Sequence, residues 1–262
     1  MSRRGKDLPR REFVKPGGSL AASLGFGGIR LAAAGAKVAD VIVVGAGSFG
    51  CNTAWHLRQK GLSVLVVEVA EAPATFTTHR AAGFVSSWSA VHVKEWGQNE
   101  CYRQRYGIDF YTRLAKATSQ DIGFGATGIA YIYLTKSGWE GFQPRAEKAR
   151  GFGTKLESLS PSPATAILPQ IRFDSVAGIL YDPDSVRVRA GDAISYLAQL
   201  LVQKGVQFRF KTPVDSLLHD SSGMAGIATN QGEFWAATVV VAAGAGCQGL
   251  VEKGCWSVPC RA

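Results

Sequence analysis

The stretch that decides the fold is Val41-Ile42-Val43-Val44-Gly45-Ala46-Gly47-Ser48-Phe49-Gly50. Its four consecutive aliphatic residues predict a strand that is buried on both faces, as parallel strands usually are. A helix is predicted to follow through about Gln59, because Gly61 then provides a stop signal. A second aliphatic run over 64–67 predicts the next strand. The sequence therefore predicts a parallel βαβ unit.

The glycines between strand and helix have the spacing G-x-G-x-x-G, and each has a physical task. Gly45 permits the tight turn out of the strand, Gly47 lets the backbone approach a pyrophosphate, and Gly50 allows close packing of helix on strand. The helix N-terminus adds unpaired N–H groups and the positive end of the helix dipole. The residues predicted to contact a dinucleotide in this turn are Gly45, Ala46, Gly47, Ser48, Phe49 and Gly50.

Glu68 follows the second strand at the distance where dinucleotide-binding proteins carry an acid. Its carboxylate can accept hydrogen bonds from ribose hydroxyls, and its charge disfavours NADP because it would repel a 2′-phosphate. We include the preceding Val67 among the predicted contacts. The alternative to a dinucleotide-binding site is a glycine-rich turn that binds no ligand. If the turn does bind a dinucleotide, the βαβ unit alone does not distinguish FAD from NAD.

Three further stretches of sequence are informative, and the first is Thr77-Thr78-His79-Arg80-Ala81-Ala82-Gly83-Phe84-Val85. The second is Ala177-Gly178-Ile179-Leu180-Tyr181-Asp182-Pro183, which is followed by a predicted helix from Gly191 to Lys204 and by Gly205-Val206-Gln207-Phe208. The third is Thr238-Val239-Val240-Val241-Ala242-Ala243-Gly244. Together with the glycine turn they resemble the D-amino-acid oxidase superfamily, which includes glycine oxidase and the sarcosine and dimethylglycine dehydrogenases. The resemblance implies FAD as cofactor. The further residues that it places at the cofactor are Thr77, Thr78, Arg80, Ala81, Ala82, Gly83, Val214, Ala242, Ala243 and Gly244.

The fold implied by the resemblance is α/β, a Rossmann-like FAD-binding domain with an inserted α+β substrate domain that is incomplete. We predict the FAD-binding domain over 37–90 and 185–262, and the substrate domain over 91–184. The second FAD-binding part contains a β-meander at about 214–235 with a turn at 230–232. Inside the substrate domain we predict a helix over 102–114 and a strand over 130–135. Its aromatic residues Tyr131, Tyr133 and Trp139 are candidates for a substrate-cavity wall, although core packing is favoured for each.

The activity implied by the resemblance is oxidation of the C–N bond of an amino acid or an N-methylated amine. A hydride passes from the carbon beside nitrogen to the flavin, and oxygen or a respiratory chain is the electron acceptor. The sequence identifies no catalytic residue. Some relatives attach FAD covalently through a His just before the Ala-Gly pair; Arg80 holds that place here and His79 lies one residue early, so we predict noncovalent FAD.

Members of this superfamily usually continue well beyond the position of Gly244. We therefore expect either a fragment or a shortened homologue. The alternative function is an inactive or partner-dependent nucleotide-binding fragment, and a third possibility is an NAD-dependent dehydrogenase.

Residues 1–36 are predicted to be an export signal. Arg10-Arg11-Glu12-Phe13-Val14-Lys15 resembles the twin-arginine motif, a weakly apolar stretch follows, and Ala34-Gly35-Ala36 has a small-x-small cleavage pattern. This predicts recognition by the export machinery and a periplasmic or exported protein. The alternative is a cytoplasmic protein with a disordered basic extension.

Charge and cysteine content argue against two other functional classes. The net charge is +9, but residues 1–37 hold eight basic residues against two acidic ones, so the excess belongs mainly to the N-terminal segment. Without a basic stripe in the rest of the chain, nucleic-acid binding is not predicted. The five cysteines form no CxxC pair or Cys/His cluster, so no metal site is predicted. Cys51 is expected to be a buried apolar residue of the first helix.

Overall fold

The computed structural model describes residues 37–88, 97–221, 223 and 225–253. The predicted export signal at 1–36 lies outside these residues, as do Cys255 and Cys260, so export stays a prediction. In the described ranges, no helix combines the length and the apolar character needed to cross a membrane.

The chain divides into two compact units. The inserted unit consists of Ala82–Arg189, and the discontinuous unit consists of the described residues on either side of it. An inserted domain is therefore present, but its ends differ from the predicted 91 and 184. The reason is that Phe84–Val85 pairs with Val186–Arg187, which ties both short segments to the inserted unit.

The strands, in chain order, are β1 (Lys37–Val44), β2 (Val64–Val67), β3 (Phe84–Val85), β4 (Ile129–Tyr133), β5 (Glu157–Leu159), β6 (Gly178–Asp182), β7 (Val186–Arg187), β8 (Gln207–Arg209), β9 (Val214–His219), β10 (Ala225–Thr229) and β11 (Gly232–Val241). The helices are α1 (Ser48–Gln59), α2 (Thr77–Arg80), α3 (Gln98–Ala117), α4 (Lys136–Gly151), α5 (Pro161–Ile167), α6 (Ala190–Gln203) and α7 (Cys247–Lys253). The predicted β1–α1–β2 unit is confirmed, and α6 lies within one residue of its predicted ends.

The discontinuous unit is built on a six-stranded sheet with the order β8-β2-β1-β11-β10-β9. Strands β8, β2, β1 and β11 are parallel, whereas β11, β10 and β9 form an antiparallel meander. Alternate residues of β1 face opposite sides. Ile42 and Val44 pack with Ile227 and Phe234 of the meander, while Val43 faces α1. Residues 41–44 of β1 and all four residues of β2 are thus buried, and the predicted α/β class is confirmed.

One element of this sheet differs from the prediction. The third meander strand and the returning strand, expected to be separate, form the single ten-residue strand β11. Its interior contains neither Gly nor Pro, so nothing interrupts it. It ends at Val241 rather than Gly244, because Gly244 adopts a φ of +57° and begins a 3₁₀ turn.

The inserted unit contains a three-stranded antiparallel sheet with the order β4-β6-β5. Helix α3 extends beyond the predicted 102–114 at both ends, and Glu100 supports its first turn by accepting the N–H of Gly97. Strand β4 ends at Tyr133, before the predicted Thr135. Thr135 instead caps α4, since its hydroxyl oxygen accepts the N–H of Gly138 at 3.1 Å.

The aromatic residues of this unit pack into its core, as the favoured interpretation predicts. Tyr131, Tyr133 and Trp139 lie against a buried cluster that includes Trp88 and Leu180. Tyr131 meets Trp88 edge to face at 5.1 Å between ring centroids. Burial raises the pKa of Tyr133 to about 12.

Candidate nucleotide-binding site

The turn after β1 lies where three parallel strands end. The N–H of Gly45 donates to the carbonyl of Val67 at 2.7 Å, and the N–H of Ala242 donates to the carbonyl of Val44 at 2.8 Å. Gly45 has a φ of +107°, and a Cβ on it would lie 2.4 Å from the carbonyl oxygen of Ala242. Only glycine fits this position, because both the backbone angle and the neighbouring strand exclude a side chain.

Helix α1 approaches the same turn very closely. A Cβ on Gly50 would lie 1.8 Å from the carbonyl oxygen of Gly45, 2.9 Å from its carbonyl carbon and 3.5 Å from Cγ1 of Val43. Gly50 therefore lets the first turn of the helix rest directly on the backbone of the strand–helix turn. This contact fixes the position of the helix N-terminus relative to β1.

The space above Gly47 is open by comparison. A Cβ there would meet only the hydroxyl oxygen of Thr78, at 3.1 Å. That hydroxyl accepts the N–H of Ser48 at 3.0 Å and so caps the helix from a distant part of the chain. The N–H groups of Phe49 and Gly50 belong to the first helical turn, where no intrahelical acceptor exists. The side chain of Phe49 is 82% exposed. This end of α1 can therefore receive an anion.

Glu68, which follows β2, accepts backbone hydrogen bonds from the turn and from the loop after it. One carboxylate oxygen accepts the N–H of Ala46 at 2.7 Å, and the other accepts the N–H of Ala70 at 2.9 Å. The residue is only 8% exposed. Because each carboxylate oxygen has two lone-pair sites, both retain capacity for a further donor such as a ribose hydroxyl.

Two contacts at this turn were not predicted from the sequence. The carbonyl of Ala46 accepts the N–H of Ala74 at 3.0 Å, so the loop after β2 folds back over the turn. Ala74 is buried and has a φ of +58°, which no sequence signal indicates for an alanine. The same carbonyl accepts the thiol of Cys51 at 3.4 Å.

Cys51 is buried, as predicted. Burial, with a smaller contribution from the negative charge of Glu68, raises the pKa of Cys51 to about 12. The thiol is thus held in its protonated, unreactive form, which fits a packing role rather than a redox role.

Val214 lies at the start of β9, two residues after a contact with Glu68. The N–H of Thr212 donates to the carbonyl of Glu68 at 3.0 Å, and Thr212 is fully buried. The side chain of Gln231 in the β10–β11 turn donates to the Thr212 hydroxyl at 2.9 Å. The backbone of Val214 is thereby brought towards the carboxyl end of β2, while its side chain packs on the core. The side chain of Val67 is likewise part of the core.

The remaining predicted residues fall in three places. Thr77, Arg80 and Ala81 are exposed and lie in or directly after α2, while His79 packs over Gly191 at the start of α6. Ala242 reaches the glycine turn, Ala243 packs on the core, and Gly244 is exposed. Ala82 and Gly83 belong to the inserted unit, where the carbonyl of Gly83 accepts the N–H of Val188 at 2.9 Å. In the described ranges, no group of His, Cys, Asp and Glu could hold a metal ion.

Comparison with models of known protein families shows to which family the chain belongs. The model of the family described as FAD dependent oxidoreductase (DAO) matches residues 40–261. The chain belongs to this family. The open turn at Gly47, the free end of α1 and the buried Glu68 fit the cofactor that gives the family its name.

The sequence identity to individual relatives is low. The chain is 26% identical to 4-methylaminobutanoate oxidase (formaldehyde-forming) of Paenarthrobacter nicotinovorans, with 78% of this chain and 24% of that protein covered. It is 29% identical to D-amino acid dehydrogenase of Paramagnetospirillum magneticum, with 78% of this chain and 60% of that protein covered. The chain thus spans a quarter to three fifths of the length of these relatives.

Solved structures share the fold. The structure of glycine oxidase from Geobacillus kaustophilus matches with a TM-score of 0.73 at 23% identity, and the match covers 84% of this chain and 59% of that one. The structure of L-amino acid deaminase from Proteus vulgaris matches with a TM-score of 0.73 at 21% identity, over 86% and 51% of the two chains.

Proposed function

We propose that this protein uses noncovalently bound FAD to oxidise the C–N bond of an amino acid or an N-methylated amine. The observation that carries the proposal is the turn at Gly47, which has no side chain of its own at that position, opens onto the N-terminus of α1 and is bordered by the buried Glu68. Family membership supports FAD, and the names of the relatives support amino acids and methylated amines as the substrate class.

Each part of the site has a role in holding the cofactor. The first turn of α1 would receive the pyrophosphate, with its N–H groups as donors. Glu68 would accept hydrogen bonds from the ribose, and the Ala46 and Ala70 N–H groups already fix its orientation. The Thr78 hydroxyl accepts from Ser48 and keeps its own proton free to donate to a phosphate oxygen.

Bound FAD would supply the two-electron acceptor that removes a hydride from the carbon beside the amine nitrogen. The product imine then takes up water and separates into a carbonyl compound and an amine or ammonia. The contribution of the chain is to bind the cofactor, to orient the substrate C–H bond and to exclude water. No acid or base of the described residues is required if the amine arrives neutral.

Noncovalent attachment is supported by the residues before the Ala-Gly pair. Arg80 occupies the position at which relatives with covalent FAD carry a histidine, and guanidinium forms no such bond. His79 packs over Gly191, and a Cβ on Gly191 would lie 2.7 Å from Nδ1 of His79.

Replacing Glu68 by Gln is expected to weaken FAD binding about 10- to 100-fold, because the carboxylate charge is lost and the amide NH₂ must face a backbone N–H. Wild-type protein should be yellow, should release its flavin on acid precipitation and should bleach anaerobically with an amino acid or N-methylated amine. The measurements are a flavin fluorescence titration and the absorbance change on adding substrate.

Glu71 provides the matched control for this experiment. It lies in the same loop but is exposed and paired with Lys211 at 3.2 Å, so Glu71→Gln should bind FAD like the wild type. Equal FAD affinity of the Glu68→Gln and wild-type proteins would contradict the proposed role of Glu68 in FAD binding. Protein that binds FAD but never bleaches would instead support the inactive or partner-dependent fragment, and nicotinamide binding without flavin would support a dehydrogenase.

We further propose export by the twin-arginine route, with a respiratory chain or oxygen as electron acceptor. The support is the motif at 10–15 and the ability of that route to carry folded proteins with their cofactor. In a cell-fractionation experiment, Arg10→Lys combined with Arg11→Lys should move the protein from the periplasm to the cytoplasm. Wild-type protein found only in the cytoplasm would contradict export.

A further inference from the structure

The segment between β8 and β9 runs beside the residue that borders the nucleotide-binding turn. The N–H of Lys211 donates to the carbonyl of Ala70 at 2.8 Å, and the N–H of Thr212 donates to the carbonyl of Glu68 at 3.0 Å. In the opposite direction, the N–H of Glu68 donates to the carbonyl of Arg209 at 2.7 Å. Three backbone hydrogen bonds thus join this segment to the chain that follows β2.

This segment contains a backbone conformation that its residue type does not favour. Lys211 has a φ of +53°, in the left-handed region that a residue with a Cβ rarely adopts. Such a conformation persists only where the surrounding structure holds it, and it is frequent at ligand sites. The Lys211 side chain is paired with Glu71 at 3.2 Å, but both groups are exposed and such a pair contributes little. The stronger support comes from the next residue, Thr212.

Thr212 is fully buried, and its hydroxyl joins two parts of the chain. The hydroxyl donates its proton to the carbonyl of Phe210 at 2.9 Å, and its oxygen accepts an N–H of the Gln231 side-chain amide at 2.9 Å. Gln231 lies in the turn between β10 and β11 and is exposed, yet its amide is directed inward onto this buried hydroxyl. The exposed glutamine thus supports the left-handed turn through the buried threonine.

The turn that carries Gln231 is fixed by hydrogen bonds of its own. The N–H of Gln231 donates to the hydroxyl oxygen of Thr229 at 3.1 Å, and that hydroxyl donates to the carbonyl of Gly232 at 2.7 Å. The backbone of Gln231 is therefore held without Thr212. Its side chain is the part that reaches the segment between β8 and β9.

The same contact holds the chain next to Val214, the residue that the family resemblance places at the adenine. At its N-terminal end β9 has one residue more than the facing part of β10, so Asp215 has no partner in the ladder. A bulge of this kind disrupts the ladder locally. Val214, which precedes the bulge, is therefore fixed less firmly by the sheet than a residue of a regular strand. The hydrogen bond between Gln231 and Thr212 holds the chain two residues before it.

We propose that Gln231 is a positioning residue for the adenosine half of FAD. Acting through Thr212, its side chain fixes the backbone from Phe210 to Val214 beside Glu68. The inference rests on the proposed function and deepens it, since it assigns a residue to one end of the cofactor.

The pyrophosphate end of the site does not depend on this contact. Its donors belong to the first turn of α1, whose position is set by Gly50. The Glu68 carboxylate is oriented by the N–H groups of Ala46 and Ala70. None of these contacts involves Gln231, so loss of its amide should weaken ligands that contain adenosine and spare inorganic pyrophosphate.

The test compares ADP with inorganic pyrophosphate, which lacks the adenosine, by phosphorus NMR titration of the full chain after its flavin has been removed by dialysis. Gln231→Met keeps the length of the side chain but removes its amide. It should weaken ADP binding about three- to tenfold and leave the affinity for pyrophosphate unchanged. FAD affinity, followed by flavin fluorescence, should fall by the same factor because FAD contains the ADP group.

Two variants of Thr212 test whether Gln231 acts through it. Thr212→Val removes the hydroxyl at nearly constant volume and should weaken ADP binding at least as much as Gln231→Met, because the bond to Phe210 is lost as well. Combining it with Gln231→Met should cause no further loss, since both substitutions remove the same hydrogen bond. Thr212→Ser retains the hydroxyl and should bind ADP within about twofold of the wild type.

Gln248→Met is the matched control. Gln248 is an exposed glutamine of the same unit, and its amide donates to the Glu252 carboxylate at 2.7 Å within α7. This variant should bind ADP and pyrophosphate like the wild type.

Equal ADP affinity of the wild type and Gln231→Met would overturn the inference and leave the proposed function intact. Equal loss of ADP and pyrophosphate binding would also overturn it, because Gln231 would then support the unit as a whole. Selective loss of ADP binding, in a protein whose FAD is never bleached by an amine or amino acid, would contradict the proposed oxidation alone. A wild type that binds neither ADP nor FAD would contradict the FAD site and the inference with it.

Discussion

Replacing Gly50 by alanine is expected to abolish FAD binding and to destabilise the discontinuous unit. The added Cβ would lie 1.8 Å from the carbonyl oxygen of Gly45 and 2.9 Å from its carbonyl carbon. Both are backbone atoms of the turn itself, so no side chain can rotate to make room. The helix must move away from β1, and its N–H groups then leave the position at which they would meet the pyrophosphate.

The size of this effect follows from two opposing contributions. Alanine favours a helix over glycine by about 1 kcal/mol. Overpacking in a buried site costs typically about 1–3 kcal/mol, and a contact between backbone atoms belongs at the upper end of that range or above it. We therefore expect a net loss in the free energy of unfolding, measured by urea denaturation, together with a loss of flavin fluorescence quenching on titration.

Gly141→Ala provides the control for Gly50→Ala. Gly141 lies inside α4, and a Cβ there would meet no atom within 4 Å. This variant should be as stable as the wild type or more stable by up to about 1 kcal/mol. If Gly50→Ala behaved in the same way and still bound FAD, the contact between α1 and the turn would not be what positions the helix end.

The elements that the sequence predicted well are determined locally. The run Val41–Val44 and the glycines after it place a strand, a turn and a helix within twenty residues or so of one another. The necessary information lies in residue type and spacing, so β1, α1 and β2 could be assigned without knowledge of distant contacts. The positive φ of Gly45 is a requirement of the turn and coincides with a residue that tolerates it.

The features that escaped prediction depend on contacts between distant segments. Strands β3 and β7 have two residues each and show no periodicity, yet their pairing moves both boundaries of the inserted unit. The fold-back of Ala74 onto Ala46 places an alanine in the left-handed region, which only the closed loop can enforce. The capping of Ser48 by Thr78 joins residues thirty positions apart. Local patterns contain no signal for such contacts.

The clearest of these long-range features is the fully buried Asp182. One carboxylate oxygen accepts hydroxyl protons from Ser185 at 2.5 Å and from Ser87 at 2.8 Å, and also the Ser87 N–H at 3.3 Å. The other oxygen accepts the N–H of Asp184 at 3.2 Å. The carboxylate thus joins the end of β6 to the segment after β3. Burial raises the pKa of Tyr131 to about 12, and the negative charge of Asp182 contributes to that increase.

Asp182→Ala is expected to destabilise the inserted unit by about 3 kcal/mol or more, because it leaves several buried donors without an acceptor and each costs about 1–3 kcal/mol. Asp182→Asn should cost less, about 1–2 kcal/mol, since its amide keeps one acceptor oxygen and the serine hydroxyls can rotate to accept from its NH₂ group. Hydrogen exchange followed by mass spectrometry measures the change separately for peptides of each unit. Faster exchange should concentrate in peptides that cover 82–88 and 178–189.

Asp184→Ala separates the role of Asp182 from a general loss of negative charge. The Asp184 side chain is paired with Lys155 at the surface at 3.1 Å, and only its backbone N–H contacts Asp182. Exposed pairs contribute about 0–1 kcal/mol, so exchange should change little in this variant. If Asp182→Ala and Asp184→Ala gave the same exchange pattern, the buried carboxylate would not be the link between β6 and the segment after β3. In that case the hydrophobic contacts of Trp88 and Leu180 would have to hold the two segments together by themselves.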